Sequence, residues 1–138
     1  MGRPTELTKQ YLIDHGISNI TKDGRVFRKD GSEVHYCVAW RKTRYDIQKY
    51  KTFYVYDHDL YLQRKEKFPT AGQKTVVLSR AVYAWYNLIA PANYDVDHIN
   101  NDSLDDRIDN LQLLTRAENL AKRKGHMNQY ESSLVKDE

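Results

Sequence analysis

The stretch Asp97-His98-Ile99-Asn100-Asn101-Asp102, continued by Asp109-Asn110-Leu111-Gln112-Leu113-Leu114-Thr115-Arg116-Ala117-Glu118-Asn119, decides how this chain is read. Just before it, Tyr94 and Val96 alternate with Asp95 and Asp97, a period of two that predicts a short strand ending at His98. Asn100-Asn101-Asp102-Ser103 then gathers side chains that tolerate left-handed backbone and bond to their own main chain, so the strand breaks there. Apolar residues return at Ile108, Leu111, Leu113 and Leu114, predicting a second strand. Thr115-Arg116-Ala117-Glu118 fits a capping box, with Thr115 as N-cap and Glu118 at the third helical position. Asn119 is thereby set in the first or second turn of a helix.

Within this pattern, His98, Asn110 and Asn119, with Asp97 directly before the histidine, resemble the HNH motif of nucleases with the ββα-metal fold. The resemblance runs from Val76 to Lys124, because Leu78-Ser79-Arg80-Ala81-Val82 is similar to the lead-in of phage and intron HNH proteins. It implies metal-dependent cleavage of a phosphodiester, with Asp97 and Asn119 as metal ligands and His98 as the general base. Asn110 is counted with the catalytic set, bracing the loop that carries the histidine. Two oxygen ligands suit magnesium, which keeps several waters and shares its shell with substrate phosphates; manganese is expected to substitute. The ion would neutralise charge building on the phosphorus, and an imidazole can take a proton from water near neutral pH. A helix N-terminus close by favours a phosphate. The sequence departs from the family pattern at Asp106, where asparagine is usual, and at Ser79, where histidine often precedes the arginine.

Composition narrows the remaining classes. With 138 residues, the chain has room for one cored domain or a small catalytic unit with an appended module. Charged residues make up 30% of it and mean hydropathy is −0.82, and no apolar run approaches the roughly 20 residues that span a bilayer, so no membrane association is expected. Met1-Gly2-Arg3-Pro4-Thr5-Glu6 lacks the apolar segment of a secretory signal, which predicts an intracellular protein, in host cytoplasm if phage-encoded. A single cysteine, Cys37, leaves no basis for an internal disulfide or a structural zinc. The net charge of +3 is unevenly spread. Residues 22–65 hold eleven basic side chains against six acidic ones, whereas Asp95, Asp97, Asp102, Asp105, Asp106 and Asp109 crowd the motif against Arg107. Phosphate contacts supply most sequence-independent affinity for DNA, so a basic flank beside an acidic metal pocket suits a nuclease. Double-stranded DNA is the expected partner, touched by Arg41, Lys42 and Arg44 from the flank and by Arg116 and Arg123, which bracket Asn119 on one helix face. Arg80 is expected either to touch DNA or to brace a loop.

Along the chain, Thr8 to His15 reads as a short helix stopped by Gly16. Asp23-Gly24 and Asp30-Gly31 punctuate a meander continued by Val34 to Trp40 and Thr52 to Tyr56. Tyr36, Tyr54 and Tyr56 are expected to pack a thin sheet. Ser79 reads as the N-cap of a helix in which Val82, Trp85, Tyr86 and Ile89 recur until Pro91 stops it. Asp57-His58-Asp59 imitates the motif locally, but nothing downstream completes it, and a solvated strand end is the plainer reading. His126 follows Asn119 on the same helical side and reads as a surface residue; Gly2-Arg3-Pro4 resembles a minor-groove hook and reads more simply as a disordered terminus.

The expected architecture is α+β: an arm over 1–18, a β-rich basic DNA-binding module with its lead-in helix over 19–91, a ββα-metal catalytic unit over 92–125 and a flexible tail over 126–138. The expected activity is that of a monomeric, magnesium-dependent DNA endonuclease, nicking one strand in the manner of homing enzymes. Two rivals stand beside it: a nuclease subunit of a packaging or restriction assembly, and a DNA-binding module that does not cut.

Overall fold

A computed structural model describes residues 5–42, 47–65 and 71–123. Strand β1 (Leu7–Thr8) runs into helix α1 (Lys9–Asp14), whose first turn is closed where Tyr11 N donates to Thr8 Oγ1 at 3.0 Å. Gly16, at φ +99°, takes the left-handed turn that ends it, as the sequence predicts. Strands β2 (Ile17–Ile20) and β3 (Val26–Arg28) form a hairpin over the Asp23-Gly24 turn. Strands β4 (Cys37–Lys42), β5 (Ile47–Tyr56) and β6 (Gln73–Val77) make an antiparallel sheet in that order, with helix α2 (His58–Arg64) between the last two. Helix α3 (Leu78–Asn87), strand β7 (Ile89–Ala90), strand β8 (Tyr94–His98), strand β9 (Leu111–Thr115) and helix α4 (Arg116–Arg123) complete the mixed α+β fold. β7 pairs with β1 and β8 with β9, both antiparallel.

The core forms around α3. Leu78, Ala81, Val82 and Trp85 recur every three or four residues, so one stripe of the helix is apolar and buried. Against it pack Leu12 of α1, Ile17 and Ile20 of β2, Phe53 and Val55 of β5, Val76 of β6 and Leu111 of β9. Burial of each large apolar side chain contributes roughly 1.5–3 kcal/mol. β5 shows the period of two expected of a strand, with Phe53 and Val55 inside and Tyr54 and Tyr56 outside. Towards the far end of the hairpin the sheet leaves the core, and Val38, Trp40 and Ile47 stand exposed.

Several local expectations give way to tertiary structure. Ser79 is not an N-cap: the backbone of β6 runs straight into α3, Val77 holds the cap position without a side-chain bond, and Ser79 is buried within the first turn. The helix does not continue to Pro91, because Leu88 adopts φ 71° and turns Ile89–Ala90 into the partner of β1. Asp57 is a helix cap, accepting from Leu60 N at 3.1 Å and opening α2, so Asp57-His58-Asp59 marks a strand-to-helix junction. Tyr36, Tyr54 and Tyr56 are exposed, not packed under the sheet. Gly2-Arg3-Pro4, Arg44 and His126 lie outside the described residues.

Arg80 fastens the strands that precede the motif. Its Nη1 donates to Tyr94 O at 2.8 Å, and its Nη2 to Thr5 O, Ala90 O and Pro91 O at 2.8, 3.0 and 2.9 Å. Of its two expected roles, bracing is the one these bonds perform. A lysine cannot present the same planar fork, so Arg80→Lys is expected to lower unfolding free energy by about 2–4 kcal/mol in urea titration. A loss below about 0.5 kcal/mol, the usual range for surface substitutions, would contradict the brace.

Candidate metal and phosphodiester site

The site is made of β8, the loop after it, β9 and α4. Register pairs Asp97 with Gln112 and His98 with Leu111, while Asp95 and Asp97 share one face of β8 because strand side chains alternate. The capping box forms as the sequence predicts: Glu118 N donates to Thr115 Oγ1 at 3.1 Å and Thr115 N to Glu118 Oε1 at 2.8 Å. That start fixes α4 against β8. Asn119 Nδ2 then donates to Asp95 Oδ2 at 2.7 Å, and one turn later Lys122 Nζ reaches Asp97 Oδ2 at 2.5 Å and His98 O at 2.7 Å. Gln112 Nε2 donates to the same Asp97 oxygen at 3.1 Å.

Between the two strands the chain makes a loop that Asn110 closes. Asn100 N donates to Asn110 Oδ1 at 3.0 Å, while Asn110 Nδ2 donates to Asn100 Oδ1 at 3.0 Å and to Asp105 O at 2.9 Å. The backbone adds Ile99 N to Asn110 O at 2.8 Å, and Asn101 takes the left-handed φ of 67° that the asparagine-rich turn allows. Arg107 grips Asp105 through Nε and Nη2, both at 2.8 Å. That guanidinium holds the Asp105 carboxyl far below the usual carboxylate range, so the loop keeps its brace throughout neutral pH. His98 Nε2 lies 2.6 Å from Asp106 Oδ1; the carboxylate is buried and the ring partly so.

A cavity of about 580 Å³ separates this unit from the three-stranded sheet. Asp95, Asp97, His98, Arg116 and Asn119 line one wall, and Arg41, Gln48, Lys49, Lys74 and Thr75 the other. Asp97, His98 and Asn119 are therefore brought together, Asn110 is buried behind them, and Arg41 and Arg116 stand across the opening. Lys42 is exposed at the next position of β4, on the opposite face from Arg41. The side chain of Arg123 lies outside the described residues.

Asp97 and Asn119 bring hard oxygen donors to the cavity wall, with Asp95 beside them. These donors fit a cation such as magnesium, which retains waters and shares its shell with phosphate. Among the described residues no three histidine, cysteine, aspartate or glutamate side chains converge as a ready-made cage, so water and substrate would complete the shell. The sequence singled out neither Gln112 nor Lys122. Lys122 stands three residues after Asn119, one helical turn, and only the docking of α4 on β8 brings it to Asp97.

Residues 85–121 match a family model described as HNH endonuclease. Comparison with curated proteins and with solved structures finds no match. Lys122 is 94% buried, so its ammonium is the partner that offsets desolvation of Asp97. Removing one member of a buried ion pair leaves the other uncompensated, and Lys122→Met is expected to cost about 3 kcal/mol of stability in metal-free protein. A loss under about 0.5 kcal/mol in denaturant titration would mean that the pair is solvated like a surface ion pair.

Proposed function

We propose, from the premise that residues 85–121 carry an HNH endonuclease domain, that this chain hydrolyses phosphodiester bonds of double-stranded DNA with a divalent cation held at Asp97 and Asn119. The observation that carries the reading is the convergence of Asp97, His98 and Asn119 on one cavity whose facing wall bears Arg41, Lys49 and Lys74. Magnesium is the cation the oxygen donors favour, with manganese as a substitute. When bound, it supplies charge neutralisation at the phosphate and at the departing oxygen.

The remaining work belongs to the chain. His98 takes a proton from water; the water oxygen forms a bond to phosphorus, and the ester oxygen leaves with the electron pair of the broken P–O bond. Asn110 holds the loop so that the imidazole cannot swing away. Arg116 and the lysines opposite draw the duplex in, since each neutralised phosphate adds affinity that salt removes. The division is one of labour: 19–91 holds DNA and 92–125 cuts it. One site per chain favours nicking over a double-strand cut, the behaviour of a homing-type enzyme acting as a monomer.

A second reading has one observation in its favour. Lys122 places its ammonium on Asp97, as a protein that binds DNA without cutting would also do. Supercoiled plasmid incubated with the pure protein separates the two. Wild type with magnesium is expected to give relaxed circles, and His98→Ala to slow their formation by about 10²- to 10⁴-fold while DNA binding persists. Plasmid left supercoiled by wild type, or nicked equally by both proteins, would contradict the proposal.

A further inference from the structure

Asp106 is the one described residue with a buried side-chain polar atom lacking a hydrogen-bond partner: its Oδ2 is sealed from solvent and bonded to nothing. A residue kept only to tie its loop would be satisfied on both oxygens, because a buried unpartnered oxygen costs stability. The other oxygen, Oδ1, is 2.6 Å from His98 Nε2, a short contact between a partly buried ring and a buried carboxylate. Ile108 N donates to Lys22 O at 2.8 Å, and the turn at Gly24 packs against Asp106, so the N-terminal hairpin fixes the segment that carries it.

We propose that Asp106 is a positioning residue: its carboxylate accepts the Nε2 proton of His98, fixes the ring, and leaves Nδ1 as the nitrogen that takes the proton from water. The proposal rests on the nuclease reading and deepens it. A carboxylate has lone pairs and no proton to give, so a neutral ring bonded to it carries its proton on Nε2. Among the described residues Nδ1 has no hydrogen-bond partner, and His98 lines the cavity beside Asp97. A third group that orients a base and selects its tautomer is a recurring arrangement for activating nucleophiles. Here the base ends the strand before the loop and its orienter lies within the loop, and Asn110, bonded to Asn100 and Asp105, ties together the segments beside them. An amide at this position could present either end to the ring, whereas a carboxylate can only accept.

Nitrogen-15 NMR of the ring nitrogens tests this in the full-length protein without metal or DNA. Five histidines are present, and the His98 signals are those that vanish in His98→Ala. The wild-type ring is expected in the Nε2–H form with a bare Nδ1, and an Nδ1–H ring would overturn the proposal without any variant at 106. Asp106→Ala is expected to populate both tautomers and to lower kcat for plasmid nicking by about 10- to 100-fold, the loss typical of removing a group that orients a working side chain. KM for DNA and magnesium affinity should stay within about twofold, since the base acts on water and not on binding. Asp106→Asn, with the same shape and one acceptor oxygen, should recover most of kcat. Wild-type kcat in a folded Asp106→Ala, or a loss confined to KM, would overturn the positioning role; should that variant not fold, the wild-type tautomer and Asp106→Asn decide. If His98→Ala nicks like wild type, the nuclease reading itself fails. If His98→Ala is inactive while Asp106→Ala is fully active, only the role of Asp106 fails.

Discussion

Three hydrogen bonds from one amide side chain hold the site in register. Asn110 reaches across its loop to Asn100 and Asp105, so the end of β8 and the start of β9 are bound at their open edge as well as through the ladder. Without that closure, the loop over 99–110 would carry the conformational freedom that folding has to remove. With it, His98 ends β8, Asp106 returns to the Nε2 edge of its ring, and Leu111 begins a strand that runs directly into the capping box of α4. Each later element inherits its position from this loop.

Charge balance is the second constraint. β8 presents Asp95 and Asp97 on one face, and two carboxylates so placed repel unless cations or donors stand between them. The chain answers from α4: Asn119 donates to Asp95, Arg116 lies 3.8 Å from it, and Lys122 covers Asp97. A helix docked by polar contacts on a two-stranded hairpin has little apolar area to hold it, so these bonds do much of the docking. The same arrangement keeps the carboxylates hydrogen-bonded and facing the cavity. The wall opposite is cationic, which suits a polyanion entering between the sheet and the site.

Much of this was legible in the sequence where the signal is local. The strand of Asp95 and Asp97, the asparagine turn and the Thr115–Glu118 box depend on neighbours within four residues, and all three form as read. The start and end of α3 were misread because they are set from outside: Leu88 has no intrinsic preference for φ 71°, and adopts it because Ile89 and Ala90 pair with a strand some 80 residues earlier. The fate of Arg80 was open for the same reason, since its partners lie on three separate segments. Asp106 was visible as a departure from a pattern, but its contact with His98 crosses an irregular loop that no periodicity describes. Lys122 and Gln112 reach Asp97 only after helix and strand have docked.

The central claim is that Asp97 and Asn119 hold a divalent cation beside His98. Anomalous X-ray scattering from crystals equilibrated with manganese addresses it directly, because the ion is located independently of any assumption about its ligands. The account predicts one peak bonded to oxygens of both Asp97 and Asn119 at roughly 2.0–2.3 Å, with Lys122 displaced from the shared carboxylate oxygen. A peak bound elsewhere, or none at the site with Lys122 still seated on Asp97, would contradict it.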